Sequence, residues 1–251
     1  MSSLLLLRIV WYVAVIAMHI SNIFYMRWFR RSHPPSPEHL KHLESFRDLE
    51  YRFFTSWTFI LQIVYSFYGL GCDLVLLKNS KKKDYRLPSP IADLREILFS
   101  GLMWPCTMVV FSVFWGLYAY DRDLIFPKFL DSIIPPISNH VIHTMIVLVV
   151  LFEVVFRPRQ EPETHARNVM QLTMHLCVYM SVLYFTYIEK GIWLYPIFKV
   201  LFGTIYFWIA LLAMALMFYA FYYIQWPLTR MIHASKKTVE KKKAKLDKKV
   251  K

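Results

Sequence analysis

Residues 53–77 read FFTSWTFILQIVYSFYGLGCDLVLL, twenty-five residues with one charge, Asp73, and no proline. The hydrocarbon core of a bilayer takes a helix of roughly 20 apolar residues, so this stretch is long enough to cross a membrane. Backbone in lipid has no water to satisfy it, which makes the crossing a helix and not an open strand. Working outward, five more apolar stretches lie near 4–26, 97–118, 141–156, 168–188 and 198–224, the one at 141–156 being the shortest. With 57% hydrophobic residues in runs of this length, a soluble core is excluded. The fold class is all-α: a multi-pass transmembrane bundle of six predicted crossings over 1–226, followed by a basic tail over 227–251. Tyr51, Trp57, Trp104, Tyr118, Tyr120, Trp193, Tyr195, Tyr222 and Trp226 mark the ends of the crossings, as an interfacial aromatic belt would.

The first stretch has no basic residue ahead of it, and Arg8 and His19 interrupt it; it reads as a retained helix and not a removed signal peptide. Cys72, Cys106 and Cys177 fall inside predicted helices, with the wrong spacing for a metal site and the wrong place for a disulfide framework. No glycosylation sequon is present.

The net charge of +13 is concentrated, because ten of the thirty Lys and Arg follow Pro227. A nucleic-acid surface would mix such charge with exposed aromatics, and the tail has none. It reads as a solvated, disordered segment, helical at most in part, attracted to anionic headgroups. Six crossings place both termini on one side, which carries nineteen Lys and Arg against ten on the other. That bias makes the termini cytoplasmic, although Arg27, Arg30 and Arg31 after the first crossing oppose it. The final Lys248-Lys249-Val250-Lys251 has the form of a dilysine endoplasmic-reticulum signal, or of chance in a lysine-rich tail. Integral residence in an endomembrane or the plasma membrane follows.

Two loops carry structure of their own. In 27–52, Pro34, Pro35 and Pro37 precede a polar stretch of helical character from Glu38 to Arg52, suited to the interface. In 121–138, Ile125, Phe126, Phe129, Leu130, Ile133 and Ile134 make the loop too apolar to float in water, and it is read as a lid over the bundle mouth.

Thr55, Thr58, Gln62, Ser66, Gly69 and Asp73 recur at steps of three or four along the second crossing, one stripe of a helix. A polar stripe in a spanning helix faces the bundle interior. For Ser66 and Gly69 the plain reading is close helix packing, and a membrane threonine commonly bonds back to its own helix. The fourth crossing opens with Asn139, His140, His143 and Thr144; the two histidines, three apart, share a face. Ionisable groups inside a span are functional candidates by default. The second and fourth crossings run in the same direction, so Thr55 and His143 lie at one depth. A hydroxyl beside an imidazole is the minimum for nucleophilic attack on an ester. His19 competes for the role of base, whereas His175 falls toward the opposite side of the fifth crossing. Metal binding ranks below acid–base use: His140 and His143 need further ligands, Asp131 and Glu153 are not predicted by spacing, and no H-E-x-x-H or G-x-S-x-G occurs.

Arg52-Phe53-Phe54-Thr55, with Gln62 and Asp73, resembles the second-helix signature of the androgen-induced-gene family. The resemblance continues in Phe114-Trp115-Gly116-Leu117-Tyr118-Ala119-Tyr120-Asp121-Arg122, Pro127-Lys128, Leu130-Asp131, Asn139-His140-x-x-His143-Thr144 and Gly191-Ile192-Trp193-Leu194-Tyr195-Pro196. It implies a multi-pass membrane hydrolase that cleaves fatty acid esters of hydroxy fatty acids without a cofactor. Thr55 corresponds to the family nucleophile and His143 to its histidine partner. Thr58 stands where the family pattern carries a residue such as Asp or Asn, which leaves it as an alternative hydroxyl. On that mechanism, first-turn N–H groups and Asn139 stabilise the oxyanion, His140 lies beside the site, and Arg52, Arg122 or Lys128 meets the carboxylate head. Partners are a lipid ester and membrane lipids, not nucleic acid. The competing class is a non-enzymatic membrane protein, a transporter or lipid-responsive scaffold. Its usual mark of paired helix breaks with a midplane charge is not in the sequence.

Overall fold

The computed structural model describes residues 2–34 and 46–247, with 234–247 as backbone only. Six long helices make the bundle: α1 (Ser2–Ser32), α2 (Phe54–Lys78), α3 (Ser89–Leu124), α4 (Pro136–Phe156), α5 (Ala166–Lys190) and α6 (Ile205–Asp247). Each is long and apolar enough to span a membrane, and no strand occurs among the described residues. The prolines of the interfacial loop after Pro34 and the terminal dilysine sequence lie outside the described residues.

Helix ends follow local chemistry. Pro90 and Pro136 sit in the first turns of α3 and α4, where a missing N–H costs nothing, so both helices start earlier than the apolar runs at 97 and 141 suggest. Gly191 ends α5 in the left-handed conformation at φ 67°, its N–H donating to the Tyr187 carbonyl at 2.8 Å. The last apolar run divides: Pro196–Leu201 is a short separate helix, and α6 begins after Gly203 at φ 85°. α6 then passes through Pro227 to Asp247 without a break at 226, its membrane-spanning part being Ile205–His233.

α3 is the hub. Its most apolar stretch is 72% buried, against 17–39% for the other five helices, which therefore surround it and face lipid. α1 packs on α2 through Tyr12, whose ring leaves no room for a side chain at residue 69: a Cβ there would lie 2.8 Å from Tyr12 Cζ. The packing reading of Gly69 holds. Several aromatics of the supposed belt are core residues instead. Trp104, Trp193, Tyr222 and Trp226 are buried, and Trp104 Nε1–H donates to the Phe221 carbonyl at 2.8 Å. Tyr51 and Tyr120 remain exposed. An aromatic near the end of an apolar run serves either place, and only packing separates them.

α3 and α4 each contain a widened π turn, at Ile97–Met103 and at Val141–Met145. Such turns insert a residue into the helix and redirect its side chains, and they recur at functional sites. The second contains His143.

Candidate functional site

α2 and α4 lie side by side and run the same way, so residues of equal depth meet. Thr55, second residue of α2, places Oγ1 3.4 Å from His143 Nε2. The imidazole is buried, stacked on Phe114 of α3 at 3.4 Å between centroids. Its Nδ1 lies 2.7 Å from Asn139 Oδ1 and 3.1 Å from the Asn139 backbone carbonyl. Both partners are acceptors, so Nδ1 carries the hydrogen and Nε2 presents its lone pair to Thr55. This tautomer is the one a base needs, and the π turn aims it.

Thr55 and His143 open onto a cavity of about 550 Å³ walled by α2, α3, α4, α5 and α6. Its lining is almost wholly apolar. Small residues make the space, among them Ser112 and Gly116 on α3 and Ala210 and Ala213 on α6. Ile125, Phe126, Leu130 and Ile134 of the apolar loop form one wall, as the lid reading requires. Arg122 pins that loop through both Asp131 oxygens, at 2.8 and 2.9 Å, and through the Phe126 carbonyl. Arg30 adds a bond to the Ile133 carbonyl and an ion pair with Glu50, which also lines the cavity.

The other sequence candidates scatter. Asn139 does not line the cavity; it holds His143 from behind. His140 does not share the fate of His143: it is exposed, stacked on Trp115, with Nδ1 3.1 Å from Thr144 Oγ1. Arg52 is committed to Glu189 at 2.7 Å and to Thr186. Lys128 is exposed on the loop and has no ion pair among the described residues. Thr58 is buried and makes no bond to His143, so the hydroxyl facing the imidazole is that of Thr55. His19 is buried lower in the bundle, 3.2 Å from Gln62 Oε1. His175, placed by sequence toward the far side, instead packs against Phe54 and Trp57. Ser56 Oγ–H is spent on the Glu50 carbonyl at 2.6 Å. No cluster of His, Cys, Asp or Glu among the described residues is arranged to hold a metal, and Glu153 is ion-paired to Arg157.

Two residues escaped the sequence reading as site components. The Phe54 N–H, first of α2 and without a helical acceptor, donates to Tyr179 Oη at 3.1 Å and to Tyr195 Oη at 2.9 Å. The two phenols are 3.1 Å apart and both line the cavity. Burial raises the Tyr195 phenol above its usual pKa, so it stays protonated. Tyr195 had a place in the last motif, but nothing local to the sequence tied it to α2.

Five spanning helices around a sixth define an integral multi-pass membrane protein, with a hydroxyl–imidazole pair facing an apolar chamber inside it. The chain belongs to the family described as FAR-17a/AIG1-like protein, which it matches over residues 8–226. It is 37% identical over 149 residues to human androgen-dependent TFPI-regulating protein, covering 59% of this chain and 62% of that protein. It is 32% identical over 148 residues to the mouse protein of that name, with the same coverage. Human androgen-induced gene 1 protein is 29% identical over 152 residues, covering 58% of this chain and 62% of that protein. The matched stretch is thus under two thirds of each relative's length. No solved structure matches.

Proposed function

We propose that this protein hydrolyses fatty acid esters of hydroxy fatty acids, with Thr55 as nucleophile and His143 as general base. The observation that carries the reading is the 3.4 Å approach of Thr55 Oγ1 to the lone-pair nitrogen of a fixed imidazole, at the wall of an apolar chamber. Nucleophile–base contacts are often this loose before substrate binds. Oγ1 attacks the ester carbonyl while Nε2 takes its proton. Nε2–H then protonates the leaving alkoxide, and the hydroxy fatty acid departs. Water attacks the acyl-threonine, His143 takes the water's proton, and the threonine oxygen leaves with it as the fatty acid is released. Asn139 keeps the ring in its working tautomer throughout.

The apolar lining suits hydrocarbon arms, and the carboxylate head belongs at the rim. There Arg52 and Arg122 already face Glu189 and Asp131, so a substrate carboxylate would compete for them, whereas Lys128 has no such rival among the described residues. Purified protein in lipid nanodiscs, given a palmitoyl ester of a hydroxystearic acid, tests the reading. Wild type should release both acids and label with a fluorophosphonate probe; Thr55→Ala and His143→Ala should do neither while remaining folded. Equal turnover by either variant removes that residue from the mechanism. Absence of turnover and labelling in wild type leaves a non-enzymatic lipid-binding protein.

A further inference from the structure

We infer that the Tyr179–Tyr195 phenol pair is the oxyanion donor of this site, an assignment that rests on the hydrolase reading above. The argument is an inventory of hydrogens. Each phenol oxygen accepts from the Phe54 N–H, and one phenol donates to the other across 3.1 Å. That uses one of the two hydroxyl hydrogens. Among the described residues the second has no acceptor, although Tyr179 is only 6% exposed.

Both tyrosines line the chamber that holds Thr55, and both hydroxyls are tied to the amide one residue before it. A buried donor without an acceptor is a cost to the folded protein that an arriving anion removes. The charge that develops when Oγ1 attacks a carbonyl is such an anion, and a donor fixed in advance in an apolar chamber stabilises it with little reorganisation. The Phe54 N–H polarises the pair further, since it donates to both oxygens. Asn139, the sequence candidate for this task, is occupied with His143 Nδ1.

The inventory makes an unusual prediction for variants. Tyr179→Phe or Tyr195→Phe alone leaves one phenol, still anchored to Phe54, with its hydrogen free. Each single variant should therefore lose less than about 10-fold in kcat, whereas the double variant should lose on the order of 10²–10³-fold, with KM little changed. A second measurement keeps the test sharp if the double variant folds poorly. Fluorotyrosine at 195 in the Tyr179→Phe background makes a better donor and a poorer acceptor. An oxyanion donor then raises kcat, whereas a hydroxyl that merely caps α2 leaves kcat level or lowers it.

Wild type and Thr55→Ala run beside these in nanodiscs with the same hydroxystearate ester. Thr55-dependent turnover with a folded double variant at wild-type kcat overturns the phenol assignment alone. Thr55-dependent turnover with a level or falling fluorotyrosine kcat does the same. Turnover that ignores Thr55, or none in wild type, overturns the hydrolase reading and the phenol assignment with it.

Discussion

The bundle buries polar groups at both ends, and the two ends are built on opposite plans. At one end, called inner for its distance from the chamber, where α2 finishes and α3 starts, Asp73 accepts from Arg8 at 2.8 and 3.1 Å and from Arg95 at 2.7 Å. Arg95 reaches Tyr12 at 2.5 Å, Tyr12 bonds Glu153, and Glu153 and Glu96 hold Arg157. Four helices are joined by these bonds, each carboxylate meets a cation, and Asp73 and Glu153 are almost wholly buried. At the outer end the groups beside the chamber are mostly neutral, Thr55, His143, Tyr179 and Tyr195 among them, with Glu50 paired to Arg30. The Nε2 lone pair there faces Thr55 Oγ1, and one phenol hydrogen has no acceptor among the described residues. The inner cluster pairs charge with charge across four helices; the outer cluster sets mostly neutral groups beside open space.

That contrast breaks most readily at the outer end. Thr55→Ala or His143→Ala should lower ester turnover by about 10³-fold or more with no loss of thermal stability, read by release of fatty acid and by melting in detergent. An inner-end change should do the reverse. Asp73→Ala strands the buried Arg95 and the part-buried Arg8 and should destabilise by about 3–5 kcal/mol, measured as a lower melting temperature and reduced folded yield, with turnover per folded molecule retained. A large loss of turnover in folded Asp73→Ala protein would mean that the two ends are coupled.

Smaller effects sharpen the picture. Asn139→Ala frees the imidazole to rotate and should cost about 10²-fold in kcat, most of it recovered by Asn139→Asp, with KM nearly constant. Gly69→Ala pushes a methyl against Tyr12 and, through it, against the inner network; about 1–3 kcal/mol of stability should be lost, seen as an earlier melt. The Arg122–Asp131 pair that pins the loop is partly exposed, so Arg122→Ala should cost under about 1 kcal/mol. Its visible effect should be a changed KM, as the loop over the chamber loosens.

Much of the frame was legible in the chain. Six apolar stretches of bilayer length set the class, because backbone in lipid has one economical conformation. The stripe from Thr58 to Asp73 turned inward as its period required, and Thr58, Gln62, Ser66 and Asp73 are all buried. Counting crossings brought Thr55 and His143 to one depth, and they meet. Ends were less legible: proline-led first turns at α3 and α4 carry little hydropathy signal, and Pro227 did not stop α6.

The partners of individual side chains were not legible, because they depend on rotation about each helix axis. Arg52 and Arg122 read as free cations until packing brought Glu189 to one and the turn of the loop brought Asp131 to the other. His140 and His143 parted because a π turn breaks the spacing that would have paired them.

By itself, then, the chain determined a membrane-spanning all-α bundle of six crossings and the common depth of Thr55 and His143, since hydropathy and length act locally. Only the tertiary structure decided that Asn139 fixes a tautomer, that two phenols gather on one amide, and that a chamber remains between five helices. Those outcomes depend on side-chain volumes and donor directions drawn from remote segments, and no local pattern encodes them.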